Sequence, residues 1–221
     1  MVTYLVTGAN RGIGLEYCRQ LQAKGETVVA VCRTASDELK QLGVEVVDGI
    51  NITSEDSVAD LRNRLGDRAI AVLINNAGIL KRVTLENLDF DSIREQFEVN
   101  ALGALRVTHA LLPNLQAGSK VVLMTSRMGS IGDNTSGNSY GYRMSKVALS
   151  MAGKSLAHDL KPRGVAVAIL HPGLVQTRMT NFTSGGITPE ASVKGLLARI
   201  DELTLENSGT FWHANGEILP W

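Results

Sequence analysis

About seven short apolar runs punctuate the chain, and most are followed by a longer stretch with helical spacing. Val2–Val6 is the first run, and it stops at a glycine turn. Leu15, Cys18, Leu21 and Gln22 then follow helical spacing until Gly25 ends the helix. Thr27–Cys32 is β-branched and apolar, Val44–Val47 repeats that character, and both read as strands. Ser54-Glu55-Asp56 supplies a capping hydroxyl and first-turn acids for the next helix. Ile70–Ile74 is a fourth strand, ending at Asn75-Asn76-Ala77-Gly78. Asp89 or Asp91 caps a long helix expected to run to about Leu112, where Pro113 follows. Lys120–Thr125 is a fifth strand, and Tyr140 to about Leu160 reads as a helix ending before Pro162-Arg163-Gly164. Val165–Leu170 is a sixth strand, stopped by His171-Pro172-Gly173. A helix near Pro189–Leu203 and a strand near Gly209–His213 complete the pattern.

Strands that are apolar throughout and alternate with helices predict a parallel sheet covered on both faces. There is no internal repeat, linker or low-complexity run, so residues 1–221 are expected to form one domain. The expected fold is α/β: a doubly wound, Rossmann-type parallel sheet of about seven strands with helices on both faces. In such sheets ligands bind outside the carboxyl ends of the strands.

Composition narrows the function. Apolar residues make up 44% of 221, enough for a proper core. The formal net charge is zero, which argues against nucleic acid or an anionic membrane as partner. No apolar stretch approaches the roughly 18 residues of a membrane helix, and nothing resembles a signal peptide. Cys18 and Cys32 read as buried thiols in a reducing compartment, so a cytoplasmic protein is expected. His109, His158, His171 and His213 show no metal-ligand spacing, and no metal site is expected; His171 reads as structural.

Two motifs carry chemistry. Thr7-Gly8-Ala9-Asn10-Arg11-Gly12-Ile13-Gly14 lies between a strand and a helix. Gly8, Gly12 and Gly14 permit a tight turn, close backbone approach to a pyrophosphate and close helix–strand packing. The helix start then offers free N–H groups and a positive dipole end to phosphates. A chain selecting NAD usually carries an acid about 20 residues further on. This chain has Cys32-Arg33-Thr34 there, with Arg11 inside the turn. Two guanidinium groups suit a 2′-phosphate, so NADPH/NADP+ is the expected cofactor.

Downstream stands Tyr142-Arg143-Met144-Ser145-Lys146. Tyr142 and Lys146 are i and i+4 on a helix and share a face. A neighbouring ammonium is expected to lower the tyrosine pKa toward the range useful for proton transfer. Tyr140, six positions from Lys146, falls on another face. Ser126 closes the fifth strand, where its hydroxyl can hydrogen-bond a substrate carbonyl. Asn100 lies inside the long fourth helix, where it either bends the helix and holds a water or is simply exposed.

Together these residues resemble the short-chain dehydrogenase/reductases over nearly the whole chain. The likeness covers the glycine motif at 7–14, Asn-Asn-Ala-Gly at 75–78, the tetrad Asn100, Ser126, Tyr142 and Lys146, and Pro172-Gly173. It implies that Tyr142 is the acid–base and Lys146 holds the nicotinamide ribose. Ser126 orients the carbonyl, and Asn100 keeps a proton-relay water. It also implies cofactor contacts at Gly8, Asn10, Arg11, Gly12, Ile13, Gly14, Arg33, Asn76, Ala77 and Gly78, with Val175 and Thr177 beside Pro172-Gly173. Asn51 and Ile52 are the adenine neighbours by the same likeness, although the family often has an aspartate at the first. The chain is more closely similar to small carbonyl reductases of the sniffer and C-factor type. Ser126–Ile131, Tyr142–Lys146 and the ending Gly-Glu-Ile-Leu-Pro-Trp at 216–221 are shared marks. Ser126 and Tyr142 sit sixteen residues apart, a few more than usual, so the loop Gly132–Ser139 must take up the excess.

The resemblance implies NADPH-dependent reduction of a small-molecule carbonyl, and pairing as a homodimer or homotetramer. The rivals are an NADP(H)-binding signalling or sensor protein with little catalysis, and an alcohol-oxidising dehydrogenase on the same site. Met128, Met179 and Phe182 are candidate pocket residues, and Arg178–Thr188 reads as a substrate-side loop.

Overall fold

Seven parallel strands form one sheet in the computed structural model, which describes residues 2–221. The strands are β1 (Thr3–Thr7), β2 (Thr27–Val31), β3 (Glu45–Val47), β4 (Val72–Asn75), β5 (Lys120–Met124), β6 (Ala166–His171) and β7 (Phe211–His213), in the order β3-β2-β1-β4-β5-β6-β7. The expected doubly wound sheet of about seven strands is therefore present. Burial follows from the pleat. On β1, Tyr4 and Val6 join one apolar cluster while Leu5 joins the other.

Helices α1 (Gly12–Ala23) and α7 (Pro189–Asp201) cover the first face through Tyr17, Cys18, Leu21, Val193 and Leu196. Helices α3 (Glu55–Leu65), α5 (Gly103–Ala110) and α6 (Tyr140–Leu160) cover the second through Leu61, Val107 and Leu149. A short helix α2 (Asp37–Gln41), capped by Ser36, follows β2 and was not expected from the sequence. Cys18 and Cys32 are buried and unpaired, as read. Burial pushes the Cys18 thiol up to about 12, so it is inert at neutral pH.

One element departs from expectation. The single helix expected from Asp89 to Leu112 is instead α4 (Phe90–Phe97), a π turn (Glu98–Leu102), and α5. The cause is tertiary. Asn100 is fully buried and its side chain is bound to the backbone of Ile79 and to Ser145. A wider turn keeps Asn100 aimed inward and still lets the helix continue. Gly103 then lies so close to Ile52 that a Cβ there would stand 2.7 Å from Ile52 Cδ1.

Strand order reverses between β1 and β4, so a crevice opens at their carboxyl ends. Among the described residues no helix is long and apolar enough to cross a membrane, and no cluster of three His, Cys, Asp or Glu could hold a metal.

Candidate active site

The crevice is built by backbone contact. Gly8 has φ +66°, and a Cβ on it would stand 2.8 Å from Ala77 Cα. A Cβ on Gly14 would stand 2.2 Å from the Gly8 carbonyl oxygen and 2.6 Å from Asn76 Nδ2. Both glycines are therefore required by space, and Gly8 and Gly12 also by positive φ. Thr7 ties the two loops together: its Oγ1 accepts from the N–H groups of Asn76 and Ala77, at 3.0 and 3.1 Å. Asn76 returns the bond through Nδ2 to the Thr7 and Gly8 carbonyls. Thr7 stood in the glycine motif, but only the fold shows this task.

The start of α1 differs from those of α2, α3, α4 and α7, and shares with α6 the lack of a side-chain cap and of a first-turn acid. Helices α2, α3, α4 and α7 are capped by Ser36, Ser54, Asp89 and Thr188 and carry an acid in the first turn. α1 begins after Arg11 with no side-chain cap and no acid. Its first N–H groups and dipole end are thus left for an anion. Asn10, Gly12 and Ile13 are half-buried around this turn, and Thr177 reaches it, with its Cγ2 3.5 Å from where a Gly12 Cβ would lie. Arg11 and Arg33 are exposed and enter no ion pair among the described residues. Asn51 is exposed and turns on itself, its Oδ1 accepting from Thr53 N–H and Oγ1, while Ile52 is buried against Gly103.

Across the crevice stand the reactive groups. Tyr142 and Lys146 share the inward face of α6 and are buried, whereas Tyr140 is exposed. A Cβ on Gly78 would lie 3.2 Å from Asn100 Oδ1 and 3.5 Å from Lys146 Nζ, so these three residues meet. Ser145 was not singled out by the sequence. Its Oγ accepts from Asn100 Nδ2 at 2.9 Å and donates to the Tyr142 carbonyl at 2.8 Å. Its i+3 offset from Tyr142 was the available signal. Ser126 lies two residues beyond β5 and accepts from the Met128 N–H at 3.1 Å. Pro172 and Gly173 follow β6, where Gly173 takes φ +85°, and Val175 is buried.

The electrostatics correct one expectation. Burial pushes the Tyr142 hydroxyl up to about 12, with a Ser126 hydrogen bond pulling it down. Burial also brings Lys146 down to about 8, and its Nζ donates to the Met124 carbonyl at 2.8 Å, 5.7 Å from the tyrosine ring centre. Burial outweighs the lowering expected from the ammonium, because both groups are desolvated and the lysine proton is directed at a carbonyl. Tyr142 is therefore protonated at neutral pH.

His171 lies at the end of β6, edge-on to His213 with ring centres 4.9 Å apart. Burial, then His213 and then Arg127, hold it down to about 3, so it is neutral. In the segment after Gly173, Leu174, Met179, Phe182 and Ile187 are exposed, and Met128 is partly so.

Residues 2–186 match the short chain dehydrogenase family model. Over 226 residues, covering 100% of both chains, the protein is 43% identical to the 1-hydroxy-2-glutathionyl-2-methyl-3-butene dehydrogenase of Rhodococcus sp. (strain AD45). It is 46% identical over 155 residues to C-signal of Myxococcus xanthus, covering 69% of this chain and 93% of that one. Its fold superposes on the NADPH-bound carbonyl reductase from chicken fatty liver with a TM-score of 0.89 at 29% identity, covering 99% of this chain and 98% of that one. The motifs, the sheet order and these likenesses agree: the chain belongs to the short-chain dehydrogenase family, as an oxidoreductase close to the small carbonyl reductases and C-signal.

Proposed function

We propose that the protein is an NADPH-dependent carbonyl reductase that passes a hydride to a ketone or aldehyde, with Tyr142 as proton donor. The observation that carries this reading is one buried cluster, Asn100, Ser126, Tyr142 and Lys146, facing a glycine turn at the switch point of the sheet. A dinucleotide fits the residues present. Gly8, Gly12 and Gly14 put no side chain of their own into the turn, the start of α1 carries no acid, and Arg11 and Arg33, unpaired among the described residues, are cations for a 2′-phosphate. The chicken-liver reductase, similar over nearly the whole chain, holds NADPH. Asn10, Ile13, Asn76, Ala77 and Gly78 line the dinucleotide, Asn51 and Ile52 flank adenine, and Pro172, Gly173, Val175 and Thr177 meet the nicotinamide end.

When bound, the reduced nicotinamide supplies the hydride. Ser126, its oxygen fixed by the Met128 N–H, donates to the substrate carbonyl oxygen and polarises it. Tyr142 starts protonated, so it begins in the form that donates to that oxygen as negative charge grows. Lys146 holds the ribose and favours the phenolate left behind. Asn100 pins the π turn and Ile79 beside Lys146, where a relay water returns the proton. Leu174, Met179, Phe182 and Ile187 suit an apolar substrate. Exposed Leu102, Leu105 and Met151, on the helices after β4 and β5, suit pairing into a homodimer or homotetramer.

The Rhodococcus relative is named a dehydrogenase, which favours a second reading: alcohol oxidation at the same site. Oxidation needs the Tyr142 phenolate and reduction needs the phenol, so pH separates the two. NADPH consumption against aryl ketones, diketones, quinones and aldehydes, with NADH in parallel, tests the first reading. Tight NADPH binding with no turnover of any carbonyl would contradict it.

A further inference from the structure

The segment 214–221 carries a shared sequence mark for which the reaction gives no use. After β7 the chain turns at His213–Gly216 and comes back along it. His213 N–H donates to the Glu217 carbonyl at 2.8 Å, and Leu219 N–H to the Phe211 carbonyl at 2.8 Å. Leu219 is buried with Ile169 and Phe211, and Trp221 stacks on Phe211 with ring centres 5.5 Å apart. This returning segment touches the loop that follows Ser126 at two places. Gly132 N–H donates to the Trp221 carbonyl at 2.7 Å, and Arg127 Nη2 donates to Glu217 Oε1 at 2.7 Å. Arg127 Nε also faces Asp133 Oδ2 at 3.1 Å, so one guanidinium joins both ends of the loop to the returning segment.

Arg127 opens the 3₁₀ turn Arg127–Gly129, whose Met128 N–H holds Ser126 Oγ. The turn rests on α6 so closely that a Cβ on Gly129 would stand 2.8 Å from the Lys146 carbonyl carbon. From the other side, Arg143 donates to the carbonyls of Gly137, Asn138 and Met128 and to Ser136 Oγ. The loop that takes up the long Ser126–Tyr142 spacing is thus held at each flank by an arginine.

We infer that Arg127 is a positioning residue: with Glu217 and the segment 214–221 it forms a strap that fixes the Ser126 hydroxyl relative to Tyr142. The inference rests on the carbonyl-reductase reading, because Ser126 acts there on the substrate oxygen. Both carboxylates are partly exposed, so each contact is modest by itself. The effect comes from where the contacts act, one residue from Ser126.

The test compares the wild type with Arg127→Gln, Glu217→Gln and the double variant. In each single variant, kcat for the carbonyl is expected to fall about 3- to 10-fold while KM for NADPH and the melting temperature hold. The double variant should be no worse than Arg127→Gln, since contacting residues act through one interaction. Amide exchange of residues 127–133, read by mass spectrometry, should quicken in all three. Unchanged kcat, or a loss matched by NADPH affinity or melting temperature, overturns the strap. If the wild type itself turns over no carbonyl, the reductase reading fails separately. The exchange data then decide the strap alone: faster exchange supports it and unchanged exchange overturns it.

Discussion

The two halves of the crevice are built on different principles. Around β1 and β4 the fit is between backbones: Gly8 against Ala77, and Gly14 against the Gly8 carbonyl, with Thr7 and Asn76 as fasteners. Around β5, β6 and β7 side chains make the frame: Arg127 reaches Asp133 and Glu217, Arg143 reaches the backbone of its loop, and an apolar set at 174–187 is exposed. A backbone cradle tolerates almost no substitution and suits an invariant dinucleotide. A side-chain frame can be re-cut without disturbing the sheet, and suits a variable substrate.

Breaking each half should therefore give different losses. The largest is expected in the chemical half: Tyr142→Phe should cut turnover about 100- to 10,000-fold and leave NADPH affinity nearly intact, measured by titration and steady-state rates. Retained turnover would remove Tyr142 from its role. In the cradle, Gly14→Ala should abolish most NADPH binding and lower the melting temperature, since a Cβ there would stand 2.2 Å from the Gly8 carbonyl oxygen. Normal binding by that variant would show that the cradle is not a tight backbone fit. Smaller again is the cofactor choice. Arg33→Asp should cost roughly 10- to 100-fold in NADPH preference over NADH, the scale of a charge-assisted hydrogen bond. An unchanged preference would place the 2′-phosphate elsewhere.

The smallest effect concerns stability. His171 is neutral in the fold down to about pH 3, whereas an unfolded histidine takes up its proton near 6.5. Between those values the unfolded chain binds more protons, so stability is lost as pH falls through this window. At pH 5 the cost is about 2 kcal/mol relative to neutral pH. His171→Asn should flatten that part of a melting-temperature curve, and an equally steep curve would show that other groups set it.

The cradle half was largely legible in the sequence, because glycine spacing and a strand-to-helix junction are local. The strands and α6 were legible for the same reason: apolar runs punctuated by glycine and proline. The π turn was not, because it is made by Asn100 reaching Ile79 and Ser145. α2, five residues long, is too short to show a period. Tyr142 and Lys146 were placed by spacing, but the raised proton affinity of Tyr142 was not legible, because burial is a property of the fold. The strap joins Arg127 to Glu217, ninety positions apart, and no local pattern announces such a pair.

The most direct test of the account is steady-state NADPH oxidation by the wild type and by Tyr142→Phe, across the carbonyl panel, with NADPH binding measured on both. The account predicts turnover of at least one carbonyl by the wild type, its near-complete loss in the variant, and equal NADPH binding. Wild-type binding without turnover, or a variant as fast as the wild type, would contradict it.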